Sequence, residues 1–421
     1  MSASKKIRPP LIPLQDPERI RRLNRLYEEI RELRPRADRD AEQERYGDAV
    51  SVPEAALCCA VEYDRSQLAH IPQRILEVDY GCGDPTGYAE EGMTVLDLGS
   101  GSGKHAFMIA KTVGQDGMVI GVDKTPEMLS LARGAIDEVM GTLGLRASNV
   151  EFRRGHIENL HVDLDVLDGW LEHEELSGYD ALERLETHLG EQPLVPDASV
   201  DLVVSNCVLN LVADGRKRQL LSELFRVLKR DGSVAISDIV SDRDVPEDMK
   251  DDPELWTGCI SGVFRRDRFI DAFAQAGFHG MAEVSSRFWK RVGGINFFSV
   301  TVRAWKGKQG ACYETYRAAM YKGPFSRIVD DDHHVFDRGV FTPVCEKTAE
   351  LLQKDPYAEH FHVTPRLEDP AGRIPFDCSP TASAPAANGD RAHGRDLSPD
   401  QRDLLNGLID QGACCEGEGG C

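Results

Sequence analysis

A glycine-rich turn between an apolar strand and a helix constrains the fold of this chain more than any other feature. The run T-V-L-D-L at 94–98 leads directly into G-S-G-S-G at 99–103, and a helical pattern follows from Lys104 to about Val113. Glycine permits a sharp turn and leaves the backbone open to a close ligand. The order strand, turn, helix therefore predicts a nucleoside-binding site at the carboxyl end of a strand.

Short apolar runs and helical patterns alternate after this turn. Further strands are predicted at 118–123, 150–155, 200–206 and 233–238, and helices at 126–143 and from about 216 to 228. The last helix is expected to end near Asp231 and Gly232, where glycine can adopt a left-handed cap. The alternation predicts an α/β fold with a doubly wound parallel sheet. The stretch 161–193 is longer than a compact sheet needs there and predicts a helical insertion.

Composition excludes several classes of partner. The chain has 421 residues and a formal net charge of -21, which argues against nucleic acid because phosphate binding needs clustered Lys and Arg. No stretch approaches the roughly 20 apolar residues that cross a bilayer, so no membrane partner is expected. We expect a cytoplasmic protein whose 11 cysteines stay reduced and serve as ligands, redox partners or core residues.

The glycine turn favours S-adenosylmethionine over NAD. Its spacing G-x-G-x-G differs from the dinucleotide pattern G-x-G-x-x-G, and Asp97 precedes it at the strand end. Asp123 ends the next strand, where a carboxylate can accept hydrogen bonds from both ribose hydroxyls. Residues 156–159 are candidates to border the adenine, and Asn206 to reach the methionine end. A purely structural glycine turn is the alternative.

Three cysteines near predicted strand ends suggest a thiol site. Cys82 precedes the first strand of the sheet, Cys207 follows the fourth, and Cys259 lies beyond the sheet. Ligands of α/β sheets collect at the carboxyl ends of the strands, so Cys207 is expected to face the cleft. Each cysteine can also be read as a small buried apolar residue. Zinc competes as a ligand, but the sequence has no C-x-x-C pair.

Several motifs together resemble the arsenite S-adenosylmethionine methyltransferases. They are Y-G-C-G at 80–83, L-D-L-G-S-G-S-G at 96–103, S-N-C-V-L-N-L at 205–211, L-W-T-G-C-I-S-G at 255–262 and F-F-S-V-T-V-R-A-W-K at 297–306, with A-L-C-C at 56–59. The similarity covers about residues 45–306. The ordered cysteine motifs are more specific than the glycine turn.

The resemblance implies roles for particular residues. Cys82, Cys207 and Cys259 correspond to the arsenic-binding thiols, and Cys58 or Cys59 corresponds to a fourth functional cysteine. The glycine turn and the resemblance together give the candidate cofactor residues Tyr80, Asp97, Gly99, Gly101, Gly103, Asp123, Lys124, Thr125, Met128, Ile157, Glu158, Asn206, Val208 and Leu211.

The residue patterns and the resemblance together imply a domain order. A helical segment at 1–50 precedes a class I Rossmann-like methyltransferase domain at 51–240, and a small α+β arsenic-binding domain follows at 241–306. A small C-terminal domain at 307–363 and a flexible, cysteine-containing tail at 364–421 complete the chain. Two features depart from the family pattern: Gly258 stands where an acidic residue is common, and the insertion at 161–193 is unusual.

The implied reaction is methyl transfer from S-adenosylmethionine to thiolate-bound trivalent arsenic. Arsenite or methylarsonous acid would be the substrate, because soft arsenic selects sulfur ligands. Free thiolates would require lowered cysteine pKa values, and a disulfide formed in the cycle would need thioredoxin or glutathione as reductant. Two rivals stay open, namely a methyltransferase for another small molecule and a non-enzymatic metalloid-binding protein. His333 and His334, beside aspartates, form a weaker candidate metal site.

Overall fold

The computed structural model divides into two compact units, Met1–Gly307 and Lys308–Cys421. It describes residues 63–78, 81–173, 179–250, 252, 255, 259–307, 310–366 and 372–378. The predicted N-terminal helix, Cys58, Cys59, Tyr80 and the terminal cysteines lie outside these ranges. Among the helices of the described residues, none is both long enough and apolar enough to cross a membrane.

The first unit is built on one mixed sheet. Its strands are β1 (Thr94–Leu98), β2 (Met118–Asp123), β3 (Val150–Arg154), β4 (Val200–Asn206), β5 (Leu228–Ser241), β6 (Phe264–Arg265), β7 (Phe278–Val292) and β8 (Ile295–Lys306). They lie in the order β3-β2-β1-β4-β5-β8-β7, and β6 pairs with β5. Strands β1 to β5 are parallel to one another, whereas β8 runs antiparallel to both β5 and β7. This is the class I Rossmann-like sheet that the sequence predicted.

Helices accompany the sheet along the chain. They are α1 (Arg65–Leu68), α2 (Gln73–Leu76), α3 (Lys104–Val113), α4 (Pro126–Arg133), α5 (Ile136–Leu143), α6 (Leu164–His173), α7 (Tyr179–Glu191), α8 (Asp214–Val227), α9 (Glu247–Lys250) and α10 (Arg266–Gln275). Helices α6 and α7 occupy the predicted insertion and bury their own apolar cluster, which includes Leu167 and Leu185. The expected helices are therefore present, and their status as an insertion stays a prediction.

Apolar residues bury both faces of the sheet, which is why its strands read as almost continuous apolar runs. On β1, Val95 belongs to a core that contains Phe107 of α3, and the adjacent Leu96 belongs to a second core with Leu220 of α8. Successive strand residues point to opposite faces. The two cores hold β1 rigidly, so the turn that follows this strand starts from a fixed point.

Two local predictions were wrong. The single helix predicted over 126–143 is two helices, because the chain breaks regular geometry at Gly134 and Ala135 between α4 and α5. The helix α8 does not end with a glycine cap near Asp231 and Gly232, because β5 begins immediately at Leu228. Asp231 instead has a φ of 66° within a shift of the register between β4 and β5.

The chain from 278 to 306 extends the sheet of the first unit. The predicted strand at 297–305 lies within β8, which pairs with β5 from Ser233 to Ser241. Residues predicted to belong to a separate arsenic-binding domain are therefore hydrogen-bonded to the methyltransferase sheet. The finer domain boundaries at 50, 240 and 363 stay predictions.

The second unit contains two small antiparallel sheets. Its elements are β9 (Arg317–Tyr321), β10 (Arg327–Val329), β11 (Val335–Asp337), β12 (Phe341–Val344), α11 (Glu346–Leu351) and β13 (Phe361–Val363). The strands form a three-stranded sheet in the order β12-β9-β13 and the hairpin β10-β11. Tyr321, Phe336 and Phe361 are buried in its core. This unit therefore has an apolar core of its own.

Candidate active site

The glycine turn leads from β1 into α3 and is hydrogen-bonded to the carboxyl end of β2. Gly99 and Gly101 have φ angles of 66° and 50°, a region that side chains other than glycine rarely adopt. The amide of Gly101 donates to Asp123 Oδ2 at 3.0 Å, and Asp123 Oδ1 accepts from the amide of Thr125 at 2.8 Å. Asp123 thereby fixes the turn while its carboxylate stays at the edge of the sheet.

The space around this turn fits a polar, nucleoside-bearing ligand. A Cβ atom on Gly101 would meet nothing within 4 Å, so the backbone there faces open space. A Cβ on Gly99 would instead lie 2.5 Å from Val208 Cγ1, and this explains why the chain needs glycine at that position. The Ser100 hydroxyl is buried and has no hydrogen-bond partner among the described residues. Burying a hydroxyl in this way is costly unless a ligand supplies the partner.

The other predicted cofactor residues occupy several elements near the same strand ends. Asp97 is buried on β1, Thr125 and Met128 are buried at the start of α4, and Ile157 is buried beyond β3. Glu158 has a carboxylate oxygen 3.8 Å from His156 Nδ1. Gly103, Lys124, Val208 and Leu211 lie in the turns after β1, β2 and β4. Their contacts with a cofactor stay predictions.

Asn206 at the end of β4 is engaged with the backbone around Cys82. Its Oδ1 accepts from the amides of Cys82 at 2.9 Å and Gly83 at 3.1 Å, and its Nδ2 donates to the Gly83 carbonyl at 2.6 Å. The Asn206 side-chain amide thus bonds both the backbone donors and a backbone acceptor of residues 82–83. Asn206 acts in the structure as a clamp that attaches the Cys82 segment to β4.

Cys82, Cys207 and Cys259, here called the first thiol cluster, converge although they are far apart in sequence. The Cys207 thiol interacts with those of both Cys82 and Cys259. Cys259 Sγ also donates to the Cys207 carbonyl at 3.4 Å. All three are free cysteines, and Cys82 and Cys207 contact an apolar cluster that includes Ile239 and Phe297. The structure therefore places the Cys207 thiol near both other predicted thiols.

Two of these cysteines have unusual backbone conformations. Cys207 and Cys259 have φ angles of 62° and 58°, in the left-handed region that disfavours residues with a Cβ. The amide of Cys207 donates to the Ser237 carbonyl at 2.8 Å, which fixes the turn after β4. Such strain persists where the surrounding structure imposes it, and it concentrates at functional sites.

Burial and mutual contact disfavour the thiolate forms of Cys82 and Cys207. The pKa of the Cys82 thiol is raised above its usual range, chiefly because burial disfavours the thiolate. The pKa of Cys207 is raised further by its hydrogen bonds with the Cys259 and Cys82 thiols and by burial. These directions are opposite to the lowered pKa values that preformed thiolates require. A ligand that carries its own hydroxide groups can still react with such thiols.

Sequence reasoning missed the buried carboxylate of Asp238 on β5. One of its oxygens and the thiols of Cys82 and Cys207 lie within 4.8 Å of one another. Asp238 accepts from the amide of Leu209 at 2.9 Å and from Asn210 Nδ2 at 2.6 Å, and burial raises the pKa of its carboxyl to about 7. Its position at the end of the predicted strand 233–238, in S-V-A-I-S-D, was the available signal, because site residues collect at strand ends.

Further residues hold the Cys82 segment from the other side. Tyr63 Oη donates to the Gly83 carbonyl at 3.2 Å and lies 3.0 Å from His105 Nε2. Ser299 Oγ donates to the Cys82 carbonyl at 2.5 Å. Tyr63 and His105 stand in none of the quoted motifs, and the motif at 297–306 gives Ser299 no role, so only the tertiary structure identifies these contacts. The Cys82 segment is thus held by Tyr63, by Asn206 of β4 and by Ser299 of β8, and His105 of α3 lies against Tyr63.

The candidate metal site at His333 and His334 has a simpler explanation. Asp330, Asp332 and His334 place ligand atoms within 4.8 Å of one another. His334 Nδ1 lies 2.8 Å from Asp330 Oδ2, and Asp330 Oδ1 accepts from the amides of Asp332 and His334 at 3.0 and 2.8 Å. These contacts form a local turn around Asp330.

The fold and the glycine turn define a class I S-adenosylmethionine-dependent methyltransferase. A methyltransferase domain family matches residues 89–191 and 172–283, and a domain of unknown function (DUF8838) matches 308–392. A crystal structure of an arsenic(III) S-adenosylmethionine methyltransferase from Chlamydomonas reinhardtii is 31% identical, with a TM-score of 0.50. The match covers 77% of this chain and 100% of that chain.

Curated relatives narrow the class to one family. The arsenite methyltransferase of Aquipseudomonas alcaligenes is 32% identical over 67% of this chain and 76% of its own length. The arsenite methyltransferase of Mus musculus is 30% identical over 74% of this chain and 78% of its own length. The chain belongs to the arsenite methyltransferase family.

Proposed function

We propose that this chain transfers methyl groups from S-adenosylmethionine to trivalent arsenic held by Cys82, Cys207 and Cys259. The observation that carries the proposal is the convergence of these thiols beside a glycine turn that faces open space. Arsenite is the primary substrate. Methylarsonous acid, which carries one methyl group already, would bind with fewer thiols.

The raised thiol pKa values suit the capture of arsenous acid. Each As–OH group can leave as water together with one thiol proton, so three thiols and As(OH)₃ give one As(S)₃ unit and three waters. No free thiolate is needed and no net charge is buried, which avoids the large cost of placing a charge in an apolar site. The apolar neighbours Ile239 and Phe297 therefore favour the bound, neutral product.

The residues around the glycine turn would hold the cofactor. When bound, S-adenosylmethionine supplies an electrophilic methyl group on a sulfonium sulfur. The carboxylate of Asp123 is available at the end of β2 for ribose hydroxyls, and the Ser100 hydroxyl offers a buried polar partner. Asn206 and Ser299 hold the backbone of Cys82, so the thiols keep the arsenic lone pair in a fixed direction. Positioning of this kind supplies most of the catalysis.

The reaction cycle needs reduced thiols. Methyl transfer to the lone pair of As(III) gives a methylated As(V) species, and attack of a further thiol on one sulfur ligand releases a disulfide and a proton and returns arsenic to As(III). That disulfide must be reduced before the next cycle. Thioredoxin or glutathione is the proposed reductant, and the cytoplasm is the proposed setting because thiols stay reduced there. One of the adjacent residues Cys58 and Cys59 is the proposed fourth functional cysteine.

Arsenic speciation tests the proposal directly. The purified chain is incubated with arsenite, S-adenosylmethionine and glutathione, and the products are separated by chromatography with arsenic-specific detection. Methylated arsenicals are expected, together with an equal amount of S-adenosylhomocysteine for each methyl group transferred. Arsenite that binds but stays unmethylated, with S-adenosylmethionine bound at the same time, would refute the proposed reaction.

A further inference from the structure

A second group of three cysteines meets in the second unit. The Sγ atoms of Cys312, Cys345 and Cys378, here called the second thiol cluster, all lie within 4.8 Å of one another. All three are free cysteines; Cys345 is buried, and Cys312 and Cys378 are half-buried. Cys345 lies 33 positions after Cys312, and Cys378 lies 33 positions after Cys345. No motif in the sequence predicted this meeting.

Backbone hydrogen bonds bring the three segments together. The amide of Phe376 donates to the Cys312 carbonyl at 2.9 Å, and the amide of Glu314 donates to the Ile374 carbonyl at 2.9 Å, so the Cys378 segment pairs with the Cys312 segment. The amide of Glu346 donates to the Tyr313 carbonyl at 2.9 Å and brings Cys345 to the same place. The cluster therefore depends on the fold of this unit and not on chance contact of surface side chains.

The thiols differ in their ease of ionisation. Burial raises the pKa of Cys345, but hydrogen bonds from Thr348 and from the Cys312 and Cys378 thiols outweigh it, so the net pKa of Cys345 is lowered. The pKa of Cys378 is raised by burial and by its thiol neighbours. The lowered pKa favours the thiolate of Cys345, which is the form that binds a thiophilic atom.

We propose that the second thiol cluster is a second, non-methylating binding site for trivalent arsenic. The choice of arsenic as the thiophile rests on the proposed function; the three-sulfur site itself does not. Arsenous acid would exchange its three hydroxide groups for three sulfurs. Each hydroxide leaves as water with a proton from a thiol or, for an ionised Cys345, from solvent. Arsenic stays trivalent throughout, so no oxidant or reductant is required.

The donor set favours arsenic over zinc. Structural zinc in proteins is almost always held by four nitrogen or sulfur ligands. Within the described residues, the cluster consists of three cysteines and no fourth His, Cys, Asp or Glu joins it at the same spacing. Trivalent arsenic uses three sulfurs and keeps a lone pair in the fourth direction. Three thiols without a fourth donor are complete for arsenic and incomplete for zinc.

Arsenic stoichiometry tests this site in the full-length chain. A background protein carries Ser at Cys58, Cys59, Cys414, Cys415 and Cys421, so that only the two clusters retain thiols. Cys312→Ser/Cys378→Ser then leaves the second cluster one thiol and keeps the buried Cys345 in place. Ile374→Ser is the matched control, because its side chain is exposed on the same segment as Cys378. Arsenic and zinc per chain are measured by mass spectrometry after arsenite is added and excess removed.

The expected result is two arsenic atoms per chain in the background and in Ile374→Ser, and one in Cys312→Ser/Cys378→Ser. In a Cys82→Ser/Cys207→Ser protein, the remaining arsenic should show three sulfur neighbours by X-ray absorption. The same arsenic content in the background and in Cys312→Ser/Cys378→Ser would overturn the proposal, as would stoichiometric zinc that arsenite does not displace. Methylation is assayed separately in the unsubstituted protein. Its absence together with two bound arsenic atoms would overturn the proposed function and leave the second site standing.

Discussion

Each of the two thiol clusters consists of three cysteine sulfurs, but the two clusters have different surroundings. The first thiol cluster joins Cys207, directly after β4, with Cys82, which Asn206 attaches to that strand, and with Cys259. The second thiol cluster lies beside the short helix α11, where Cys345 Sγ accepts a hydrogen bond from the amide of Thr348 at 3.4 Å. The glycine turn with open space at Gly101 belongs to the first unit.

This difference indicates that thiols alone do not make a methyltransferase. In our proposals, three sulfurs hold trivalent arsenic in either unit. The glycine turn and the clamp on the cysteine backbone would add a reaction to binding in the first unit. The same comparison separates effects on catalysis from effects on arsenic binding, and the following experiments use it.

The largest effect is expected from Cys207→Ser. The Cys207 thiol interacts with both other thiols of the first thiol cluster. Its loss therefore leaves arsenic with only two of the three proposed sulfur ligands. The rate of arsenite methylation at saturating S-adenosylmethionine should fall by more than about 100-fold. Replacing a residue that only supports a metal ligand costs up to about 100-fold, and Cys207 is proposed as a ligand itself. Calorimetry should show unchanged cofactor affinity. Methylation at the wild-type rate would show that Cys207 is not a ligand.

Asn206→Ala should have the next largest effect. It removes the acceptor for the Cys82 and Gly83 amides and leaves buried donors unpaired, at a cost of about 1–3 kcal/mol in the free energy of unfolding. Methylation should fall about 10- to 100-fold, because the cysteine backbone loses its clamp.

The control is Asn296→Ala. Asn296 lies near the start of β8, and its exposed side-chain amide donates to Asp242, which follows β5. It should change neither value appreciably. Equal effects of the two substitutions, measured by denaturant unfolding and by arsenic speciation, would contradict a positioning role for Asn206.

Gly101→Ala should mainly weaken the use of the cofactor. The added methyl group would face the open space beside the glycine turn, and the KM for S-adenosylmethionine should rise about tenfold, equivalent to about 1.4 kcal/mol. Gly92→Ala is the matched control, since Gly92 has a φ of 79° and also has open space around it.

Both alanine substitutions impose a left-handed strain of about 1–2 kcal/mol. Only Gly101→Ala should change the KM, as measured by initial rates at varied S-adenosylmethionine. A similar rise in both proteins would mean that backbone strain, and not the ligand space, determines the KM.

The smallest effect is expected from Thr348→Val in the second unit. The substitution keeps the shape of the side chain but removes the hydroxyl 3.2 Å from Cys345 Sγ, so the pKa of Cys345 should rise toward that of an ordinary thiol. The thiolate absorbance of the full chain should then appear at higher pH.

Thr364→Val serves as the control because its hydroxyl accepts from the amide of Ala318 instead of contacting a thiol. The methylation rate reports on the first thiol cluster in the same samples. A pH titration that shifts equally in both variants would show that Thr348 does not set the ionisation of Cys345.

The sequence predicted the fold of the first unit well because its signals are local. Apolar runs such as 118–123 and 200–206 correspond to β2 and β4 at the same bounds, and α3 occupies Lys104–Val113 as expected. The errors occur where a short-range rule was overridden: Gly134 and Ala135 interrupt a regular apolar pattern, and β5 begins before the expected cap at Gly232. Boundaries depend on pairing with distant strands, which local patterns do not contain.

Only part of the site was accessible in this way. The glycine turn and the cysteines stood in recognisable motifs, whereas Asp238 and Tyr63 did not, and the motif at 297–306 gave Ser299 no role. Asn206 was expected at the methionine end, but the structure shows its amide bound to the backbone at Cys82 and Gly83. The residue type of Asn206 allows a contact with either the cofactor or a nearby backbone segment. Only the geometry of the folded chain shows which backbone groups its side chain binds.

By itself, the sequence determined the α/β class, the glycine turn and the identity of the donor atoms, because each is encoded within a few neighbouring residues. The tertiary structure alone decided which sulfurs meet. Cys312, Cys345 and Cys378 looked unrelated along the chain, yet strand pairing and the placement of α11 bring them within 4.8 Å of one another. Contact between residues far apart in sequence arises when the whole unit buries its core, and no local pattern carries that information.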